Sequence, residues 1–327
     1  MREFKYYILE NKIFVIIICC VLGIIGLSTI SGIKIFDNNN VSLKEKFTAK
    51  GVTYSINSVI ETKYDLNNNK IKEGYKFIVA SVSVKNLNKD ALKLNFKDIR
   101  LIYGDEYVYA NNYFNKYFYD LGRPYNNENL INGEGYNYLF IFQVPDNYKS
   151  KKYKIKIYSG VSYENEDVEG VYKTLSFRVR NIDDKLSKRN FSLGDNTVFD
   201  KKKYGNSNMT IRNYQISNNY IDNSLSESII IKTNDINNIL LILDYELSID
   251  TNSTIYELIK TSNEFFNKYL SIEYILNGKL KSVNNISIIK SNISNKLFVS
   301  VPYEIKDAEE ISIVLKFRNL EIIYKIK

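Results

Sequence analysis

The sequence predicts a mainly β protein: an apolar N-terminal transmembrane helix followed by two tandem β-sandwiches. Three observations predict it. Ile13 to Ile33 is an unbroken uncharged run, bracketed by Lys12 and Lys34. Beyond it, segment after segment alternates apolar and polar residues with period two, the pattern of half-buried antiparallel strands. The chain has 327 residues, and the part beyond the run is too long for one typical domain.

The run holds 21 residues. At ~1.5 Å per residue that is roughly 32 Å of helix, enough to cross a bilayer core. A secretory signal has a shorter apolar core that ends in a small-x-small cleavage pattern. Thr29 and Ser31 form a passable cleavage pair, but Ile33, Ile35 and Phe36 carry the apolar character past it. Three readings stand: an uncleaved anchor over 13–36, a cleaved signal, and a buried soluble helix. Length favours the anchor. Cys19 follows Ile18, and Cys20 sits in mid-run, so neither resembles a lipoprotein acceptor. They read as small apolar span residues, with lipidation or an inter-chain bond as alternatives. Arg2, Lys5 and Lys12 precede the run, and Lys34, Lys44, Lys46 and Lys50 follow it, a weak asymmetry. A cytoplasmic tail at 1–12 and an extracytoplasmic bulk are expected, chiefly from the character of the bulk.

After a polar stalk, Val52 to Ile56 alternates and Tyr75 to Asn86 is a long β-rich run. Leu92, Leu94 and Phe96 alternate with Lys93, Asn95 and Lys97. Tyr136 to Val144 is almost wholly apolar and stops at Pro145. Tyr153, Ile155 and Ile157 alternate with Lys154 and Lys156, and Leu175, Phe177 and Val179 with Ser176, Arg178 and Arg180. So many short strands predict a first sandwich over 41–180. Residues 181–190 are charged and arrhythmic, and read as a linker. The second unit, 191–327, repeats the strand grammar at Met209 to Ile216, Ser228 to Lys232 and Ile239 to Ile249. A capping box of Thr254 and Glu257 opens one amphipathic helix over 254–269, with Ile255, Leu258, Ile259, Phe265, Phe266 and Tyr269 on one face. Asn277-Gly278 marks a hairpin, and Ile311 to Phe317 with Leu320 to Ile326 marks another. The two units echo each other. Ser42-Leu43 matches Ser192-Leu193, and Val144-Pro145 before Tyr153 matches Val301-Pro302 before Ile311.

Three pieces carry a family resemblance. They are the strand Gly74 to Asn86, the Gly133-Glu134 turn, and Phe140-Ile-Phe142-Gln-Val144-Pro145. Together they resemble the telokin-like, immunoglobulin-fold extracytoplasmic domain of Gram-positive lipoproteins and membrane-anchored surface proteins. The resemblance spans about residues 50–160, with a weaker second copy at about 190–327. It implies immunoglobulin-like sandwiches and carries no catalytic residues. Asn132 stands where that family's turn usually has Pro.

Composition narrows the chemistry. With no His, Ser-His-Asp and Cys-His catalysis and His-ligated zinc are excluded. Both cysteines lie in the apolar run, so the bulk has no thiolate nucleophile and no disulfide framework. No Gly-rich phosphate loop is present. Asp65-Leu66-Asn67-Asn68-Asn69 opens like an EF-hand loop, but Lys70 takes the Gly position and Lys76 the bidentate Glu position. It reads as a polar hairpin loop. No enzyme activity, metal or cofactor is expected.

Net charge is +8. That favours anionic partners such as phosphate-rich wall polymers or lipid headgroups, weighed against lysines that merely solvate strand faces. No nucleic-acid motif appears, and no nucleic-acid partner is expected. The candidate binding surface is the segment holding Tyr107, Tyr109, Tyr113, Phe114, Tyr117, Phe118 and Tyr119. Such rings make large, rigid, amphipathic contacts; equally, they close the open end of a sandwich. The expected function is a single-pass, membrane-anchored extracytoplasmic binding protein. It would serve an envelope assembly, its partner another envelope protein or an anionic wall polymer. The alternative is a ligand- or glycan-sensing accessory to a membrane transporter or signalling partner.

Overall fold

The computed structural model describes residues 39–164, 167–183, 186–200, 204–223, 228–251, 261–284, 286–289, 293 and 295–327, with 162–164 and 167–169 as backbone only. The expected anchor, with Ile13, Cys19, Cys20 and Ile33, lies outside these residues. Among the described residues no helix is long and apolar enough to cross a membrane.

Two sheets form the first sandwich. One runs in the order β1 (Asn40–Val41), β9 (Asp167–Arg178), β8 (Lys152–Glu164), β5 (Ile99–Tyr103), β6 (Glu106–Tyr109). The other runs β10 (Arg180–Asn181), β3 (Val52–Thr62), β4 (Tyr75–Asn86), β7 (Gly135–Pro145), with β2 (Lys46–Ala49) also paired to β3. Alternation does the sorting. Ile99, Leu101, Ile155, Ile157 and Leu175 point inward from the first sheet and meet Ile78, Ala80, Val82, Phe140 and Phe142 from the second.

The second sandwich repeats this plan. Its sheets run β11 (Ser187–Ser192), β22 (Leu320–Lys325), β21 (Glu310–Phe317), β17 (Leu270–Leu276), β18 (Lys279–Val283), and β12 (Asn196–Val198), β13 (Asn208–Ser217), β16 (Asn238–Ser248), β20 (Lys296–Pro302), β19 (Ser287–Ile289). In the first sandwich β1 joins β9 in parallel, in the second β11 joins β22 in parallel, and β2-β3-β4-β7 answers β12-β13-β16-β20. The repeat reaches single hydrogen bonds. Ser42 N–H donates to Glu45 Oε2 at 2.7 Å, and Ser192 N–H to Asp195 Oδ2 at 2.7 Å. Lys44 N–H meets Ile56 O at 2.8 Å and Gly194 N–H meets Ile211 O at 2.8 Å. Each acceptor sits at a bulge in the equivalent strand pair. The two Ser-Leu pairs of the sequence thus mark the same turn.

Additions distinguish the copies. A ribbon of β14 (Asn219–Asp222) and β15 (Ile229–Lys232) covers the outer face of the second sandwich, where Ile231 and Tyr220 meet Leu240, Ile242 and Phe298. Helix α1 spans Ser262–Tyr269 and buries Phe265, Phe266 and Tyr269. This corrects the single helix expected over 254–269. Thr261 is extended (φ −132°), accepts from Glu264 N–H and receives the Glu264 carboxylate on its own N–H, so the described helix starts there. Thr254, Ile255, Glu257, Leu258 and Ile259 lie outside the described residues. The stretch 187–190, read as linker, is the start of β11 in register with β22.

A charged joint connects the sandwiches. Arg318, in the turn between β21 and β22, is 4% exposed. Its Nε donates to Asp120 Oδ2 at 2.7 Å and Nη2 to Asp120 Oδ1 at 3.0 Å. Tyr117 O at 3.0 Å, Tyr64 O at 2.5 Å and Thr62 Oγ1 at 3.4 Å take the remaining N–H groups. All five guanidinium donors are used, the condition under which a buried ion pair is tolerated. Beside it, the Asp65–Asn69 loop reaches across. Asn67 Nδ2 donates to Lys268 O and Lys316 O, and Asn68 Nδ2 to Phe317 O. Asn319 N–H returns to Asn68 Oδ1, and Leu66 enters the second core.

Candidate binding surface

The seven aromatic residues of the 107–119 segment do not form one patch. Phe118 is fully buried and, with Phe114 and Tyr117, packs on the outer face of β4 and β7 against Phe77, Val79, Leu139 and Ile141. The Phe77 and Phe114 rings lie 4.7 Å apart. Tyr119 takes the Lys268 ammonium over its ring at 5.0 Å, between the sandwiches. These four residues belong to packing. Tyr113 is 83% exposed. Only Tyr107 and Tyr109 join a larger array, on the outer face of the β6-β5-β8-β9 sheet.

Register assembles that array. Tyr109 lies opposite Arg100, Tyr107 opposite Ile102, Arg100 opposite Lys156, and Tyr158 opposite Tyr172. Because Ile99, Leu101, Ile155, Ile157 and Leu175 face the core, their neighbours Arg100, Lys156, Tyr158 and Tyr172 face outward. Rings and cations then alternate. Tyr107 and Tyr109 meet edge-on at 5.3 Å. The Arg100 guanidinium stands 5.4 Å from the Tyr107 ring and 3.9 Å from the Tyr172 ring. Lys156 lies 5.9 Å from Tyr172, Tyr158 is 5.4 Å from Tyr172, and Lys50 covers Tyr158 at 4.2 Å. Each such cation–π contact stabilises by about 0.5–1 kcal/mol at an exposed site. A hydrogen bond with Tyr107 is the main cause that raises the Tyr109 phenol above its ordinary pKa.

A groove of about 470 Å³ continues along the same face, lined by Ile102, Lys152, Lys154, Ser176 and Arg178. Arg100, Lys152, Lys154, Lys156 and Arg178 form no ion pair with any described residue. Lys50 is balanced by Asp98 at 2.8 Å. The buried Nε of Arg100 has no hydrogen-bond partner among the described residues. The surface therefore offers cations with no ion-pair partner among the described residues, set between flat rings and suited to an extended anion. Sequence reading located Tyr107 and Tyr109 but not Arg100, Tyr158, Tyr172 or Arg178. The available signal was the basic outer phase of β8 and β9, which reads equally well as a solvated strand face.

Among the described residues no cluster of His, Cys, Asp and Glu has metal-binding geometry. Asp65 instead accepts from Asn67 N–H and Asn69 N–H, shaping the joint loop.

No known family profile matches the chain, and no curated protein matches it. Among solved structures, part of the chain is similar to the ycdA protein of Bacillus subtilis (18% identity, TM-score 0.29), covering 42% of this chain and 39% of that one. The chain thus spans well under half of that protein. Similar partial matches are a conserved protein from Bacillus anthracis (16% identity, TM-score 0.30, 40% of this chain and 94% of that one) and a β-sandwich protein from Clostridium difficile (17% identity, TM-score 0.30, 43% and 94%). No activity is carried over from them. The strand order and the two buried cores make the chain a mainly β protein of β-sandwich architecture.

Proposed function

We propose that this chain is a single-pass, membrane-anchored extracytoplasmic binding protein, held by residues 13–36, that engages an anionic envelope polymer. The carrying observation is the array of Tyr107, Tyr109, Arg100, Tyr172, Lys156 and Tyr158, with its basic groove beside it. Exposed rings supply flat contact area at low entropic cost, and unpaired cations attract repeated negative charge from a distance. The 21-residue apolar run supports the anchor, and the absence of His and of cysteine outside that run supports a binding rather than a catalytic role. In this reading both sandwiches are immunoglobulin-like, the first of the telokin-like kind, and the protein acts as an accessory in an envelope assembly. Protease treatment of intact cells tests the placement. The reading expects digestion of the sandwiches, and their survival would refute it. Tyr107→Ala with Tyr109→Ala tests the surface through binding of poly(glycerol phosphate). The expected result is weakened binding at an unchanged melting temperature; unchanged binding contradicts the reading.

A further inference from the structure

On the opposite side of the first sandwich, the outer face of β3, β4 and β7 turns toward the second sandwich. A cleft of about 800 Å³ opens between them. That volume lies in the range of small-molecule sites. Its wall is apolar where Ile60, Val79 and Leu139 face Phe199, Phe317 and Leu320. Its polar part is cationic. Arg180 on β10 and Arg189 on β11 both line it, and neither forms an ion pair with a described residue. Arg318 lines it too, but Asp120 neutralises that charge. Asp200 is the one carboxylate of the lining and carries an interaction of its own. Two guanidiniums with no ion-pair partner among the described residues, against one carboxylate, leave the lining net positive. Ser58, Ser81 and Ser187 add hydroxyls.

One buried polar group also lines the cleft. Tyr204 lines the cleft and is 4% exposed, yet its Oη has no hydrogen bond of good geometry, although Tyr269 stands beside it with rings 6.2 Å apart. A buried phenol without a well-aligned partner is unfavourable, and a bound acceptor would relieve it. The shape also has a chemical meaning. Apolar walls shelter a hydrocarbon body, while paired guanidiniums match the oxygens of a phosphate by forked hydrogen bonds.

We propose that this cleft is a binding site for an amphipathic organic phosphate, a phosphomonoester on a short apolar body. Arg180 and Arg189 take the phosphate, and the Ile60, Val79 and Leu139 wall takes the hydrocarbon. The site is separate from the tyrosine-lined face and does not depend on it. Isothermal titration of full-length protein in phosphatidylcholine nanodiscs with n-hexyl phosphate tests it, with inorganic phosphate and hexanol as partial probes. Saturable hexyl phosphate binding, at least tenfold tighter than either partial probe, is expected. Arg180→Gln with Arg189→Gln should cut it at least tenfold at an unchanged melting temperature, while Arg100→Gln with Arg178→Gln on the other face leaves it intact. Binding no tighter than hexanol, or indifferent to the cleft arginines, would overturn the proposal. Nanodiscs doped with phosphatidic acid assign the source: competition marks a lipid headgroup, and undiminished binding marks a soluble ester, both consistent with the site.

Discussion

Arg318 is the residue on which the joint turns. It is buried with Asp120, and every donor it has is satisfied. Arg318→Ala would leave the Asp120 carboxylate buried without its cation, and should cost about 3–5 kcal/mol in chemical denaturation. Asp183 nearby accepts from Thr62 and from Lys63 N–H, yet burial raises its carboxyl pKa above the ordinary value near 3.8. The folded state therefore keeps this proton in a window where the unfolded state has released it. Stability contributed by Asp183 is full below the ordinary pKa and declines as pH rises through the raised folded value. Asp183→Asn should flatten that decline in melting curves collected from pH 3 upward. Neither Arg318 nor Asp120 was legible in the sequence, because a lone Arg in a hairpin turn looks solvated until its partner, 198 positions away, is known.

At the scale of elements, two halves of the aromatic segment test each other. Phe118→Ala should cost about 3–5 kcal/mol, since it removes a fully buried ring from a two-sided sheet. Tyr113→Ala should fall within about 0.5 kcal/mol of wild type. Strand phase was legible: Ile155, Ile157, Leu175 and Phe177 are buried as their alternation requires. The almost wholly apolar Tyr136 to Val144 run is also explained, because β7 is covered on both faces. The repeated Ser-Leu turn was legible as sequence, and its meaning is a shared left-handed residue, Lys44 at φ +68° and Gly194 at φ +90°. Nothing lies within 4 Å of a Cβ built on Gly194, so Gly194→Ala should cost about 1–2 kcal/mol through the backbone alone. Long-range effects were hidden. The polar Asp65–Asn69 loop reads as a hairpin tip, and only the folded chain places its amides on the far sandwich. The cap at Thr261 was not singled out, because Thr261 and Glu264 repeat the same Thr-x-x-Glu spacing as Thr254 and Glu257, and spacing alone does not rank two such pairs.

For the whole molecule, the joint makes two sandwiches into one body. Leu66 lies in the second core, and the Asn68–Asn319 contact closes the seam. Thermal unfolding should therefore be a single cooperative transition, and Arg318→Ala with Asn68→Ala should split it into two by calorimetry. Such a body presents its tyrosine-lined, basic face and its inter-sandwich cleft on opposite sides of the first sandwich. The measurement that tests the central claim most directly is the affinity of the full-length protein, in neutral nanodiscs, for poly(glycerol phosphate) across a salt series. Wild type should bind and weaken steadily as salt screens the contact, while Arg100→Gln with Lys154→Gln and Arg178→Gln should bind at least tenfold more weakly and with a shallower salt dependence. Equal affinity of wild type and triple variant at every salt concentration would contradict the account.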